Sequence, residues 1–472
     1  MENKKICLIL CIFLLVLVSC EISVTSNRDQ IYKIDADTEN LKFPVYYYDN
    51  NCTIINSYIE EESNTLELNI PDIFIKDGNE YKLKSMYNVS LYNTSENIVF
   101  PDSMDYLSAR IIRPTKKIIL PNDIKYIDLE FRPNVVEDIE FNIYKSGKYL
   151  GSKTNPYLYY YGPCDDANKI AIHKNCKFVE LGNIKSNHIL SVILNNNVIS
   201  VKGFNEVKDK IKYKEDDGCY YLGSSNNKYY ALVSCSDNVS NVNINSRCVV
   251  VGELAFKDKM LESLLINDNL KYIDAGAFYN VNGLKEIKLN DDLLFIGEKA
   301  FTISKIEKIN LPKNIDSVYS IFEHAENLKE VNIEGELKYI YGGSFVATKI
   351  ESFDFSSVCG IFGNAFATSK LKSADLSFVN FNTIPYGAFQ SCEDLTNVIL
   401  NDNIKIIEDF AFSQTNINEI DLSSVKQLGM TSFGFLGDLN IIYKGGETAF
   451  NTDVRNTSDA FYQTNIVIKD KE

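Results

Sequence analysis

Tryptophan and the common metal-binding patterns are missing from this sequence. It has no Trp and three His, and no two of its cysteines form a CxxC pair. The spacing that zinc sites need is therefore absent, and the aromatic bulk comes from 29 Tyr and 27 Phe. No nucleophile elbow, zinc-protease, phosphate-loop or dinucleotide-binding motif stands in a fitting context. The sequence thus predicts no enzyme, no metal and no cofactor.

Positive charge and long apolar runs are also scarce. Lys and Arg number 48 against 64 Asp and Glu, which gives a formal net charge of −16. A surface this acidic repels phosphate backbones, so nucleic acid is not an expected ligand. The apolar run at 6–18 is shorter than the roughly 20 residues that span a bilayer as a helix.

The N-terminus indicates export. Lys4 and Lys5 precede the short apolar run, which is typical of a signal peptide. The run ends in the tetrapeptide LVSC at 17–20, which resembles the bacterial lipobox. That resemblance implies cleavage before Cys20, acylation of its thiol and attachment to a membrane. The alternative is an ordinary secretory signal with an incidental cysteine.

What is abundant is a repeat of about 22 residues over 251–433. An aliphatic residue lies five positions before nearly every repeated Phe, and the residue directly before it is usually small. Between one Phe and the next aliphatic runs the pattern L-x-x-I-x-L, whose alternation predicts a short strand with one buried face. The repeated residues are Phe256, Phe278, Phe301, Phe322, Phe345, Phe366, Phe389, Phe412 and Phe433.

One such unit cannot bury its own apolar residues, but stacked units can. The strands then form a parallel ladder on one side, and the segment around each Phe turns the chain on the other. With strands about 4.8 Å apart, the steps from Phe256 to Phe433 predict a stack of roughly 40 Å. The sequence therefore predicts one elongated rod with a continuous column of Phe rings inside.

The repeat unit resembles that of a known family. The segments IGEKAF at 296–301 and IEKINLP at 306–312 are similar to the BspA-like class of leucine-rich repeats, common in bacterial surface lipoproteins. The resemblance implies a β-rich solenoid with short turns or helices opposite the ladder, β-hairpin inserts and terminal β caps. It also implies host or bacterial surface proteins, or extracellular matrix, as partners.

Outside the regular repeats the pattern weakens. Strand-like relatives of the repeat recur from 97, and two segments that begin with YLGS match each other at an offset of 72 residues. Near the start, the apolar stretches 66–71 and 81–83, on either side of Asp77 and Gly78, predict a hairpin. The resulting division is a signal peptide at 1–19, a lipid-attached tether at 20–45, an N-terminal β cap at 46–96, degenerate repeats at 97–250 with β inserts at about 148–180 and 219–250, regular repeats at 251–433 and a C-terminal cap at 434–472.

The two inserts also carry cysteines in parallel places. Cys164 and Cys176 in the first correspond to Cys235 and Cys248 in the second, the first pair of positions to within one residue. An exported protein can form disulfides. This placement predicts the bridges Cys164–Cys176 and Cys235–Cys248, and the alternative is two buried thiols in each insert.

The outward positions of the predicted strands form two polar columns. They predict a binding face, with Asp354 and Asp375 near its centre, because solenoids often bind partners on such a strand surface. The alternative is a sheet face kept polar for solubility. The residues of the predicted face are Glu286, Lys288, Lys308, Asn310, Glu330, Asn332, Asp354, Asp375, Glu419 and Asp421.

These features together predict a monomeric lipoprotein at the bacterial cell surface, on either the outer or the cytoplasmic membrane. It would act as an adhesin or an interaction scaffold rather than as an enzyme. The alternative function is a glycan-binding accessory protein of a surface polysaccharide-utilising system, because exposed Tyr rings can stack on sugars.

Overall fold

The computed structural model describes residues 45–471, except for 49–50, 56, 61–66, 77–78, 93–95, 133–134, 165–168, 186–189 and 457–458. The predicted signal peptide, Cys20 and all but the last residue of the predicted tether lie outside this range. Within it, no helix is both long enough and apolar enough to cross a membrane. The chain forms a parallel β-solenoid of about 16 turns, which confirms the predicted fold class.

The first part of the solenoid, residues 45–141, is here called the N-terminal limb. Its strands form two sheets, and parallel pairing from coil to coil dominates both. The strands are Val45–Tyr48, Asn51–Ile55, Tyr58–Glu60, Glu67–Asn69, Ile73–Lys76, Asn79–Tyr92, Asn97–Val99, Tyr106–Ile111, Lys117–Leu120 and Tyr126–Phe131, followed by a 3-10 turn at Val136–Asp138.

Residues 142–249, here called the bend, contain two antiparallel three-stranded inserts between ordinary coils. The strands are Asn142–Tyr144, Gly147–Ser152, Tyr159–Pro163, Lys169–Ala171, Phe178–Glu180, Leu190–Ile193, Ser200–Lys202, Ile211–Lys212, Lys214–Asp216, Cys219–Leu222, Ala231–Cys235 and Asn241–Asn243. Short helical segments are Phe204–Val207 and Lys208–Lys210.

Residues 250–471, the repeat limb, contribute two short strands in most coils, and these build two parallel ladders. The first ladder comprises Val250–Val251, Tyr272–Ile273, Phe295–Ile296, Ser317–Tyr319, Tyr339–Tyr341, Gly360–Ile361, Thr383–Ile384, Ile406–Ile407, Gln427–Leu428 and Arg455–Asn456. The second comprises Ser263–Leu265, Glu286–Ile287, Lys308–Leu311, Glu330–Ile333, Ser373–Leu376, Asn397–Leu400, Glu419–Asp421, Gly437–Tyr443 and Thr464–Asp470.

The predicted Phe column fills the interior of the repeat limb. All nine rings from Phe256 to Phe433 are 0% exposed. Neighbouring ring centroids lie between 5.0 Å, at Phe256–Phe278, and 5.8 Å, at Phe301–Phe322. One ring per coil thus packs on the ring before and the ring after it, which confirms the predicted column.

The column continues one coil further than the sequence period indicates. Phe461 stacks on Phe433 at 5.9 Å, with 14° between the ring planes. Its coil is longer than the others because the helix Gly446–Asp453 is inserted before it. Ala460 and Phe461 preserve the pair of a small residue and Phe that marks each repeat. The interval from Phe433 to Phe461 is longer than the regular spacing, so a search for that spacing misses this last repeat.

A recurrent backbone conformation turns the chain beside this column. The residue two positions after each ring is left-handed in every coil, from φ 53° at Asn280 to φ 63° at Phe435, and none of these residues is Gly. Ile303 (φ 58°) and Thr368 (φ 57°) adopt it despite a branched Cβ. Side chains rarely favour this region. The buried ring and the next coil therefore hold the turn against its local preference.

The solenoid is not the single rod that the sequence predicts. The N-terminal limb folds back, and one of its sheets packs on the first ladder of the repeat limb. Tyr106 stacks on Tyr319 with 3.8 Å between ring centroids, and Tyr126 stacks on Phe295 at 5.5 Å. Further along, Tyr87 contacts Tyr341 at 6.1 Å. Earlier rings of one limb meet later rings of the other, so the coils of the two limbs ascend in opposite directions.

Buried polar groups fix this packing. The Tyr87 hydroxyl is 2.7 Å from Ser320 Oγ, and the Tyr87 and Tyr106 hydroxyls each donate to a carboxylate oxygen of Glu298 at 3.2 Å. Burial raises the pKa of Glu298 above its ordinary value, although the neighbouring cation of Lys299 acts in the opposite direction. These bonds satisfy groups that would otherwise lose water without replacement.

A buried cation joins the N-terminal limb to the bend. The side chain of Lys202 is 6% exposed, and its ammonium lies 2.8 Å from Asp128 and 4.6 Å from the centre of the Tyr126 ring. Removing one member of such a pair leaves a charge without its partner in a dry environment. The pair therefore fixes how the limb joins the bend.

The cysteine pairing differs from both predicted bridges. Cys219 is bonded to Cys235, which is its direct partner in the antiparallel hairpin. Cys176 and Cys248 are buried thiols that donate to the carbonyls two residues later in their own coils. The predicted bridges Cys164–Cys176 and Cys235–Cys248 are therefore wrong.

The physical reason lies in the register of the inserts. The first insert has Gly147 and Pro163 where the second has its two bonded cysteines. Cys164 lies one residue beyond the bridging position, so the first insert cannot repeat the bond. Burial raises the pKa of both the Cys176 and the Cys248 thiol to about 12, which keeps them protonated.

The predicted N-terminal hairpin is shifted along the chain. Ile73–Lys76 is the segment that pairs antiparallel with the start of the long strand Asn79–Tyr92. Glu67–Asn69, which the sequence assigned to this hairpin, instead pairs in parallel with Asn97–Val99 in the neighbouring sheet. Phe74 and Leu68 are both buried, and the predicted turn residues 77–78 lie outside the described part of the chain.

Replacing one ring of the column should destabilise the fold strongly. Phe366 is 0% exposed and stacks on Phe345 at 5.1 Å and on Phe389 at 5.6 Å. Phe366→Ala should lower the free energy of unfolding by about 3–5 kcal/mol, measured by urea denaturation. The matched control is Phe378→Ala, at a ring that is 69% exposed, with an expected change within about 0.5 kcal/mol. Equal losses for the two variants would contradict a column that holds the coils together.

A charge placed between the limbs should separate them. Tyr106→Asp removes the central ring of the interface and buries a carboxylate, so the radius of gyration in solution scattering should increase. Tyr106→Phe keeps the ring and should leave the radius unchanged, as should Tyr462→Asp at an exposed position. A scattering curve of an extended rod for the unaltered chain would refute the folded-back arrangement.

Candidate binding face

The two ladders of the repeat limb differ in what covers them. Over 295–362 the first ladder is buried beneath the N-terminal limb, and Tyr319, Tyr341 and Phe362 are at most 6% exposed there. The second ladder carries an alternating pattern of buried and outward residues, as in Ser373–Leu376. The ten residues of the predicted face all belong to this second ladder or to the equivalent part of its coil.

None of these ten residues is buried. Seven are exposed, and Lys308, Asn310 and Asp421 are half-buried. The strand register places Glu286 beside Lys308, and Lys308 beside Glu330. The structure therefore brings the first members of the predicted face into one continuous row.

Hydrogen bonds knit this part of the face together. The Lys308 ammonium lies 2.7 Å from Glu330, and the Asn332 amide donates to Glu330 at 2.9 Å and to Asn310 at 3.1 Å. The bonded carboxylate raises the pKa of Lys308, and the bonded cation lowers the pKa of Glu330. Exposed pairs of this kind add little stability. Their effect is to present a fixed alternation of charge and amide.

The aspartates have a structural use that the sequence interpretation missed. Asp354, Asp375 and Asp421 each accept a bond from the backbone N–H two residues later, at 2.9, 3.0 and 2.9 Å. Hydrogen bonding to the hydroxyls of Ser356 and Ser377, and then to these backbone N–H groups, lowers the pKa of Asp354 and Asp375. The recurring D-x-S spacing was the available signal, since an aspartate commonly closes such a turn. One oxygen of each carboxylate is thereby committed to the chain itself.

At the C-terminal end of the face, two lysines at the end of the chain pair with its carboxylates. Lys471 lies 2.7 Å from Asp421, and Lys469 lies 3.5 Å from Glu419. Both lysines belong to the C-terminal segment that the sequence assigned to a cap, so their contact with the face was not expected. Charge at this end is therefore paired within the chain.

Two apolar residues interrupt the polar columns. Leu265 is 63% exposed and Ile399 is 44% exposed, and Ile399 lies directly beside Asp375 in the strand register. An apolar residue surrounded by charged and amide groups is the composition that protein interfaces use. Within the described residues no three His, Cys, Asp or Glu side chains gather as a metal ion would require.

The repeat matches a known family model. The model described as the BspA type leucine rich repeat region matches residues 249–372, 319–440 and 360–467. No curated protein matches the sequence.

Several solved structures resemble this chain at low sequence identity and low TM-score. A leucine rich cell surface protein from Faecalibacterium prausnitzii is 14% identical, with 90% of this chain and 98% of that one covered and a TM-score of 0.32. A leucine-rich repeat protein from Bacteroides ovatus is 15% identical, with 92% and 100% covered and a TM-score of 0.32. The pneumococcal vaccine antigen PcpA is 12% identical, with 93% and 100% covered and a TM-score of 0.27.

Residues 249–467, which carry the two ladders and the ring column, are therefore a leucine-rich repeat region of the BspA type.

Proposed function

We propose that this chain is an exported, lipid-anchored protein of the bacterial surface that binds other proteins through its second ladder and performs no catalysis. The observation that supports this most is the difference between the ladders. The N-terminal limb covers the first ladder over 295–362, whereas the second ladder remains exposed with all ten face residues at the surface. A solenoid whose other strand surface is covered has this one left for a partner.

The chemistry of the face favours a protein as the partner. Cations, carboxylates and amides alternate along the rows, so a complementary surface could be recognised in one register. Leu265 and Ile399 supply exposed apolar points within the polar surround. By family resemblance, the partners are host or bacterial surface proteins or extracellular matrix.

Export and anchoring rest on the sequence before residue 45. Lys4 and Lys5, the apolar run at 6–18 and the lipobox-like LVSC support a lipid on Cys20. More than one acyl chain at this end would hold the protein on a membrane stably.

Reversing charge on the face should weaken binding. Lys288→Glu with Lys308→Glu turns the mixed row acidic, and affinity for an extracellular-matrix protein that the unaltered chain binds should fall at least tenfold. The measurement is surface plasmon resonance against a panel of purified matrix proteins. Lys257→Glu, an exposed lysine in the turn opposite the second ladder, is the matched control and should change affinity less than twofold. Binding to none of the panel, or equal losses in both variants, would refute the proposal.

The anchoring proposal has a separate test. Cys20→Ala removes the thiol that would carry the lipid, so the protein should move from the membrane fraction to the medium and lose incorporation of a labelled fatty acid. Cys7→Ala, a cysteine within the apolar run, should leave both unchanged. Membrane retention of the Cys20 variant would end the idea without touching the binding face.

A further inference from the structure

A cleft of about 840 Å³ lies where loops of the N-terminal limb, the bend and the repeat limb meet. Asn122 lines it from the limb, Asn175 and Asn196 from the bend, and Tyr272 from the repeat limb. Small-molecule sites commonly enclose roughly 300–1,000 Å³. None of the ten residues of the binding face lines this cleft.

The floor of the cleft is apolar and aromatic. Ile199, Val249 and Tyr272 are half-buried, and Tyr230 is 5% exposed. The Tyr230 hydroxyl lies 2.9 Å from the carbonyl oxygens of both Asn196 and Val198, which share its one proton. Its ring is thereby fixed across the junction between two coils, so the floor is formed before any ligand arrives.

The polar groups around this floor fall into two kinds. The side-chain amides of Asn155 and Asn197 donate hydrogen bonds to backbone carbonyls of the chain, at 2.8 and 2.9 Å. The side chains of Asn175 and Asn196 and the Tyr272 hydroxyl make no hydrogen bond to any residue that the structure describes. Each amide offers donors and an acceptor, and the hydroxyl offers both.

The charges in the cleft are paired within the chain. Lys177 lies 3.9 Å from Asp123, and Lys271 lies 2.9 Å from Asp292. Each cation thus has a carboxylate beside it, so the cleft presents no excess of positive charge to an ionic ligand. The available groups are therefore neutral, even though the whole chain carries −16.

We infer that this cleft binds a neutral oligosaccharide. A sugar ring has an apolar face of C–H groups, which suits a floor of aromatic and aliphatic side chains, and a rim of hydroxyls that both donate and accept. Amides and a phenol hydroxyl match that rim without imposing charge. The site is independent of protein binding at the second ladder, so either can exist without the other.

The test is isothermal titration of the purified chain with soluble neutral oligosaccharides, namely cello-, xylo-, manno-, malto- and chitohexaose. At least one should bind with a dissociation constant below 1 mM. Asn175→Ala with Asn196→Ala should raise that constant at least tenfold. Tyr272→Phe, which keeps the ring, should raise it two- to tenfold, in line with the loss of one neutral hydrogen bond.

Matched controls separate this site from the binding face. Asn332→Ala, which removes an exposed amide from the second ladder, should leave sugar binding unchanged. Circular dichroism melting of each cleft variant should match the unaltered chain, since the altered groups are not bonded within its described part.

Four outcomes would overturn the inference, and the first three concern binding itself. They are the absence of binding to all five hexasaccharides, binding that the cleft variants leave intact, and tighter binding of an acidic polymer such as polygalacturonate to the same cleft. Displacement of a bound hexasaccharide by an unfolded peptide such as reduced casein would also count against it, because the cleft would then belong to a protein ligand.

Discussion

Stacking of one buried ring per coil is the interaction on which this molecule depends. A coil of about 22 residues encloses too little apolar surface to be stable alone, so its rings and aliphatic residues must be covered by the coils on either side. The left-handed residue beside each ring shows how strongly the column acts. Ile303 and Thr368 accept a backbone conformation that their side chains disfavour, because the neighbouring coils fix the ring next to them.

Much of this architecture could be predicted from sequence because it is periodic. A ring every 21 to 23 residues and an alternating strand after it appear in the chain order itself. The contacts that fold the limbs together leave no such trace. Ser85 and Tyr341 lie 2.9 Å apart through their hydroxyls, yet 256 residues separate them in sequence. Tyr319 and Tyr341 stand beside core aliphatics at positions that alternation predicts to be solvated, and only a second layer of structure buries them.

The candidate face was predictable in the same limited way. Alternation places Lys308 and Glu330 at the surface, but it does not reveal that Asp375 is bound to its own turn or that Lys471 reaches Asp421. The cleft was beyond sequence reasoning altogether, since loops far apart in the chain form it. The prediction of the cysteine pairing was wrong for a smaller reason. Cys164 lies one residue beyond the position equivalent to Cys235, so two inserts that differ in their cysteines looked equivalent.

The folded-back limb also decides where the chain enters the molecule. Ile55, near the first described strand, packs in the same cluster as Tyr341 and Phe362, beside the middle of the repeat limb. A leader joined before residue 45 would thus attach to the molecule at the side of the repeat limb and not at one of its ends. The height to which the molecule reaches above its support would then depend on the leader and on the tilt of the repeat limb more than on the number of coils.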